Sequence, residues 1–185
     1  MAESRLKRTF KGWGWWLAGE IIAVIFTMCM VIAMRRYMLV RIFTGFASVF
    51  IVNALYFNFA FNCAKADLNA VKYHKKERDA SAGLMLAVSA PLFQYIMWIL
   101  LVLSKAGAVP DIFNYYILAN IECIAWVDLF TTQRTIDVLT VPGLIGLLSI
   151  VLISPITIIL TYELTYRELD IKAILLYGNK NDGKK

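Results

Sequence analysis

The sequence predicts an all-α fold: an integral membrane helical bundle of four to five transmembrane segments with a cytoplasmic amphipathic C-terminal helix. Three observations predict it. The 185 residues are 60% hydrophobic and 17% charged, against about 45–50% and about 25% in soluble domains. The apolar residues gather into runs at about 13–34, 42–63, 82–103, 111–130 and 138–164, lengths that suit a hydrocarbon core of about 30 Å. The 19 lysines and arginines fall almost entirely between or beyond those runs, where cations mark cytoplasmic loops and meet anionic lipid heads. The whole chain, 1–185, reads as one membrane domain.

The first segment follows a basic start (Arg5, Lys7, Arg8, Lys11) and a tryptophan cluster, Trp13, Trp15 and Trp16, which suits an aromatic belt at a headgroup boundary. It is too long for a signal-peptide core and is expected to stay as an anchor. Glu20, about two turns in, is read first as an interfacial carboxylate within reach of Lys11 or water, and second as a functional acid. Arg35, Arg36 and Arg41 form a basic turn. The second segment carries Asn53, Asn58 and Asn62; the last two are i,i+4 and share a face. Unpaired amides are costly in lipid, so they are expected to face protein.

Residues 65–80 are the long polar interruption, with Lys65, Lys72, Lys75, Lys76 and Arg78 around the single histidine, His74. Rich in Ala, Lys, Glu and Leu and free of Gly and Pro, this stretch is expected to be helical and cytoplasmic. His74 among cations is read as solvated, since no second ligand stands at metal spacing. Ser81 is a candidate cap for the third segment, and Pro91 a candidate kink. In the fourth run, Asp111, Asn114, Glu122 and Asp128 fall within an arc of about 120° on a continuous helix. That face could line a bundle interior or rest on water at the interface. The last run contains Pro142, Gly143 and Pro155 and is long enough for one kinked span. Beyond it Glu163–Arg167 and Glu168–Lys172 are i,i+4 pairs on an amphipathic tail, 165–185.

Charge distribution constrains the topology. Five spans with a cytoplasmic N-terminus divide the Lys and Arg 10 inside to 9 outside. Four spans with 111–130 at the interface give 14 to 5, and a re-entrant 138–164 gives 15 to 4. The positive-inside tendency therefore favours both ends and loop 65–80 in the cytoplasm.

Catalytic patterns are absent: no GxSxG, HExxH, P-loop or dinucleotide fingerprint occurs. Cys29, Cys63 and Cys123 are widely spaced and suit apolar packing. No cofactor or metal ligand set is indicated. The formal charge of +6 suits lipid, with no nucleic-acid platform to receive it. The residues left for chemistry are intramembrane polar ones. Asn58, Asn62, Glu122 and Asp128 are the candidates for a ligand or ion path, and Arg35, Arg36, Lys72, Lys75 and Lys76 for contact with lipid heads.

The run Asp67-Leu-Asn-Ala-Val71 entering a basic loop, and a last span followed by Tyr166-Arg167 and a lysine-rich end, resemble uncharacterised multi-span membrane proteins of clostridial Gram-positive bacteria. The resemblance covers about a third of the chain and implies a bacterial plasma membrane; it brings no activity. Two functional expectations stand together. One is a small transport-related protein or membrane subunit of a transporter. The other is a structural or assembly partner of another membrane protein, or self-association. A membrane-embedded enzyme would need a base or metal that Glu20, Asp128 and Asp137 lack.

Overall fold

In a computed structural model the structure describes residues 5–74, 79, 81–130 and 135–167. The described residues form helices and turns with no strand. Helix α1 (Arg5–Arg36) and helix α2 (Met38–His74) meet at Tyr37. Their antiparallel pairing is fixed by glycine: Gly19 lets α1 approach the Val52 backbone, and Gly12 abuts Phe59 and Ala90. Thr27 and Ser48 hydroxyls meet at 3.3 Å across the same seam. At 1.5 Å per residue the 32 residues of α1 extend about 48 Å, longer than a membrane core. Residues 65–74 of the polar interruption are helical, as expected, and continue α2 without a break.

The third run is two helices, α3 (Ala82–Ser89) and α4 (Leu92–Lys105), bent by 51° at Ala90–Pro91. Proline causes the bend, because it lacks the N–H that would bond the Ala87 carbonyl. The Tyr95 hydroxyl takes that carbonyl instead, at 3.0 Å. Ser81 does not cap α3 as expected. Its hydroxyl and amide both donate to Asp79 Oδ1, at 2.7 and 3.1 Å, because an aspartate two residues earlier offers a charged acceptor in a tight turn.

The fourth run departs most from expectation. A continuous helix over 111–130 would place its acids on one face, but the chain breaks at Asn120 (φ −140°, ψ 64°). Helix α5 (Phe113–Ala119) precedes the break; a 3₁₀ turn (Ile121–Cys123) and helix α6 (Ile124–Phe130) follow. The Asn120 amide takes the Tyr116 carbonyl that the break releases, at 3.2 Å. The run also returns to where it began. Lys105 Nζ, at the end of α4, donates to the Ile136 and Asp137 carbonyls at 3.1 and 2.9 Å, and the Ile136 amide donates to Asp111 Oδ2 at 3.2 Å. Meanwhile Arg41, beside the α1–α2 junction, holds the Asp128 and Met34 carbonyls at 3.1 and 3.2 Å, a cation on two helix C-termini. Residues 111–130 thus form a helical hairpin whose two feet share one end of the molecule.

Helices α7 (Val141–Val151) and α8 (Ile153–Tyr166) are one apolar stretch of 26 residues. Pro142-Gly143 is a helix start rather than a kink: extended Thr140 accepts from the Gly143 amide at 3.3 Å, with proline in the first turn, where its missing N–H costs nothing. The stretch ends where Tyr162 meets Asp67 and Gly83, beside the start of α1. Among the described residues three helices are long and apolar enough to cross a membrane, or four with the bent α3–α4 pair as one. Their outward faces are apolar, with Ile25, Ile32, Phe43, Phe50, Ile99 and Ile156 exposed, as on surfaces solvated by lipid tails. Of the expected tail helix, 165–185, Thr165 and Tyr166 end α8 and Arg167 pairs with Glu163 at 3.7 Å, while 168–185 lie outside the described residues.

Candidate functional site

The break at Asn120 has a partner in the middle of α1. It frees the Ile121 amide, and Glu20 Oε2 accepts from it at 2.9 Å. The other oxygen, Glu20 Oε1, accepts from the Trp16 indole at 3.1 Å. One residue past Ile121, Glu122 Oε1 accepts from the Gln94 amide at 2.6 Å. The Glu20 and Glu122 carboxyls lie close enough together to bear on each other's charge. Four segments build this centre: α1, α2 through Tyr56, α4, and the hairpin tip. Glu20 is 5% exposed, Glu122 1%, Gln94 and Tyr56 0%.

A count of donors states the chemistry. Four carboxyl oxygens face one indole N–H, one backbone N–H and one amide N–H; Glu122 Oε2 has no donor among the described residues. Neither carboxyl has an ion-pair partner among the described residues. Two neighbouring carboxylates in a dry site without a cation repel each other when both are charged, so a proton held by one of them relieves that repulsion. Gln94 Oε1, Asn120 Oδ1 and the Tyr56 hydroxyl also lack partners, so the surroundings hold further unused polar capacity, which native interiors rarely leave.

The two ends of the molecule differ. Beside the start of α1, Arg8 is a bidentate partner of Asp67 at 2.5 and 2.6 Å, and the Tyr162 hydroxyl donates to the same aspartate at 2.7 Å. Trp13 donates to the Ser89 carbonyl at 2.9 Å, and Trp16 stacks on Phe93. These tryptophans, expected at a headgroup belt, are half-buried in the bundle. Near the Arg41 end a cleft of about 160 Å³ lies between α1 and α6, lined by Val24, Thr27, Met34, Arg41, Ile121 and Asp128 among others.

Of the residues marked from sequence, Glu122 lies in the centre, and Asp128 lies half-buried along the cleft, two turns away. Asn58 and Asn62 are not brought to either. They sit exposed on α2, bonded to each other at 3.5 Å; the buried amide of that helix is Asn53, held by the Val49 carbonyl. Arg35, Arg36 and Lys72 are exposed, and Lys75 and Lys76 lie outside the described residues. Glu20 is the centre's missed member: the sequence placed it near Lys11 or water, whereas the approach at Gly19 and the broken hairpin bury it. No group of three or more metal-ligating side chains occurs among the described residues. No family model, curated protein or solved structure matches the chain.

Proposed function

We propose that the protein is a small transport-related protein of a bacterial plasma membrane, working through a protonatable centre at Glu20 and Glu122. The observation that carries this reading is the carboxyl pair buried on a broken helix midway along α1. Ionisable groups at membrane depth are expensive and mark ion or proton paths, and interrupted helices that offer free backbone groups are how carriers build such sites. The topology that goes with it has four crossings, α1, α2, α3–α4 and α7–α8, with 111–130 as a re-entrant hairpin. The charge balance is then 14 cations to 5, with both termini cytoplasmic.

The test is proton flux in liposomes carrying a trapped pH dye under an imposed potential. Protein-dependent acid entry is expected, and it is lost in Glu20→Gln and Glu122→Gln but kept in Asn58→Ala. Equal flux in all four proteins, or none in the parent, contradicts the reading.

A second reading, assembly with another membrane protein or a second copy, is favoured by Asn58 and Asn62. Exposed amides on an apolar helix gain hydrogen bonds from a neighbouring helix. Loss of a co-purifying partner or dimer in Asn58→Leu/Asn62→Leu, with flux absent throughout, would favour that reading.

A further inference from the structure

We propose that in this arrangement of the helices the carboxyl pair exchanges its proton with one side of the membrane, through the cleft between α1 and α6 that leads toward Arg35 and Arg41, and that release to the other side follows a rearrangement of the hairpin tip. The inference rests on the reading of Glu20 and Glu122 as a protonatable centre and adds its sidedness. Three observations carry it.

The cleft meets the centre at one residue. Ile121 lines it, and the Ile121 amide is the group that Glu20 holds. From there its walls are mostly apolar, but polar groups recur along it. Glu20, Thr27 and Met34 are spaced by seven and share one buried face of α1, so Thr27 stands about 10 Å along the helix from Glu20. Its hydroxyl meets that of Ser48. A similar distance farther on are Asp128 and Arg41, at the α1–α2 junction. A file of waters entering from that end would meet a polar group at each stage, as bridging waters require.

The opposite end is closed. The cavity there, of about 100 Å³, is lined by Arg5, Arg8, Asp67, Asp79 and Ser89 among others, and none of its lining residues is bonded to either carboxyl, as Ile121 of the cleft is. Between that cavity and Glu20 stand the Arg8–Asp67–Tyr162 cluster, the contact of Gly12 with Ala90, and the stacked Trp16 and Phe93.

The charged surroundings of the pair are sparse. Gln94 of α4, which touches Glu122, is uncharged, and Tyr56 of α2, Tyr116 of α5 and Cys123 of the hairpin tip are the buried groups nearby. No lysine, arginine or histidine stands against either carboxyl among the described residues. The bond from Ile121 to Glu20 is where route and centre join. A Glu20 that gains the proton weakens as an acceptor for that amide, so proton entry through the cleft loosens the hairpin tip.

The experiment uses full-length protein in sealed liposomes, free of its native cysteines, with one cysteine at Thr27, Val24 or Ser89. The infrared carbonyl band of the protonated pair, identified by its loss in Glu122→Gln, is followed after a change to heavy water. A bulky thiol adduct at Thr27→Cys or Val24→Cys is expected to slow deuterium exchange of that band several-fold, and one at Ser89→Cys to leave it unchanged. Slowing from Ser89→Cys, or none from either cleft position, overturns the route while leaving the pair in place. A parent protein with no such band overturns the pair itself and the route with it. Val24→Cys serves should Thr27→Cys not fold.

Discussion

Glu20 and Arg8 lie on the same helix and are both buried, yet their energetics differ. Arg8 meets Asp67 with two hydrogen bonds. The side chains are 10% and 14% exposed, so removal of Arg8 leaves a largely buried carboxylate without this cation. Arg8→Ala is expected to cost about 3–5 kcal/mol, and Tyr162→Phe, which removes one bond to the same aspartate, about 0.5–1.5 kcal/mol; thermal unfolding in detergent, followed by thiol exposure of Cys63, measures both. Glu20→Ala leaves the Ile121 amide and the Trp16 indole without an acceptor and is expected to cost about 1–3 kcal/mol per stranded donor. Glu20→Gln keeps an acceptor and should be milder by the same assay. Asp79 gives a prediction in pH. Its carboxyl is held below its ordinary value chiefly by the Ser81 hydroxyl, then by the Ser81 amide and Arg5. A depressed folded value means that the α2–α3 turn is fully stabilised above the ordinary carboxylate range and loses this support as the pH falls through the depressed value. The protection of the Ser81 amide against hydrogen exchange, relative to its intrinsic rate at each pH, should fall on acidification in the parent and be low at all pH values in Asp79→Ala.

The elements divide by whether their cause is local. The spans at 13–34 and 42–63 were legible as apolar length, and Pro91 as a kink, because proline acts on its own helix. The break at Asn120 was not legible. Its α5 and α6 flanks, seven residues each, look continuous by periodicity, and the break is stabilised by Glu20, 101 residues away. With the break hidden, periodicity gives Glu122 a face shared with Asp128, and nothing local in the sequence decides between the interfacial and the functional reading of Glu20. The hairpin also depends on a close approach that composition hides. A Cβ on Gly45 would stand 2.8 Å from the Trp126 ring, so this glycine is what lets α6 lie on α2. Gly45→Ala is expected to cost about 1–3 kcal/mol and to displace the hairpin. Disulfide formation in a Val24→Cys/Ile121→Cys protein free of native cysteines should be efficient with Gly45 in place and weakened when Gly45→Ala is added.

For the whole molecule, apolar faces turn outward and the polar groups gather at two ends and one centre. The sequence's charge count already disfavoured five simple crossings, since it left no bias between sides. It does not choose between 111–130 and 138–164 as a run that stays short of crossing, because taking out either restores the bias. Lys105 bonded to the Ile136 and Asp137 carbonyls supports 111–130 as that run, for a chain that leaves and returns to one lysine has not changed ends. The most direct measurement is the labelling of single cysteines at Ala108 and Asp137, both exposed, by an impermeant thiol reagent in intact cells, with Arg167→Cys as the reference for the other end. A re-entrant hairpin carrying Glu122 to Glu20 requires Ala108→Cys and Asp137→Cys to label from the same side and Arg167→Cys from the opposite one. Labelling of Ala108→Cys and Asp137→Cys from opposite sides would mean that 111–130 crosses, and would contradict the hairpin on which the carboxyl pair depends.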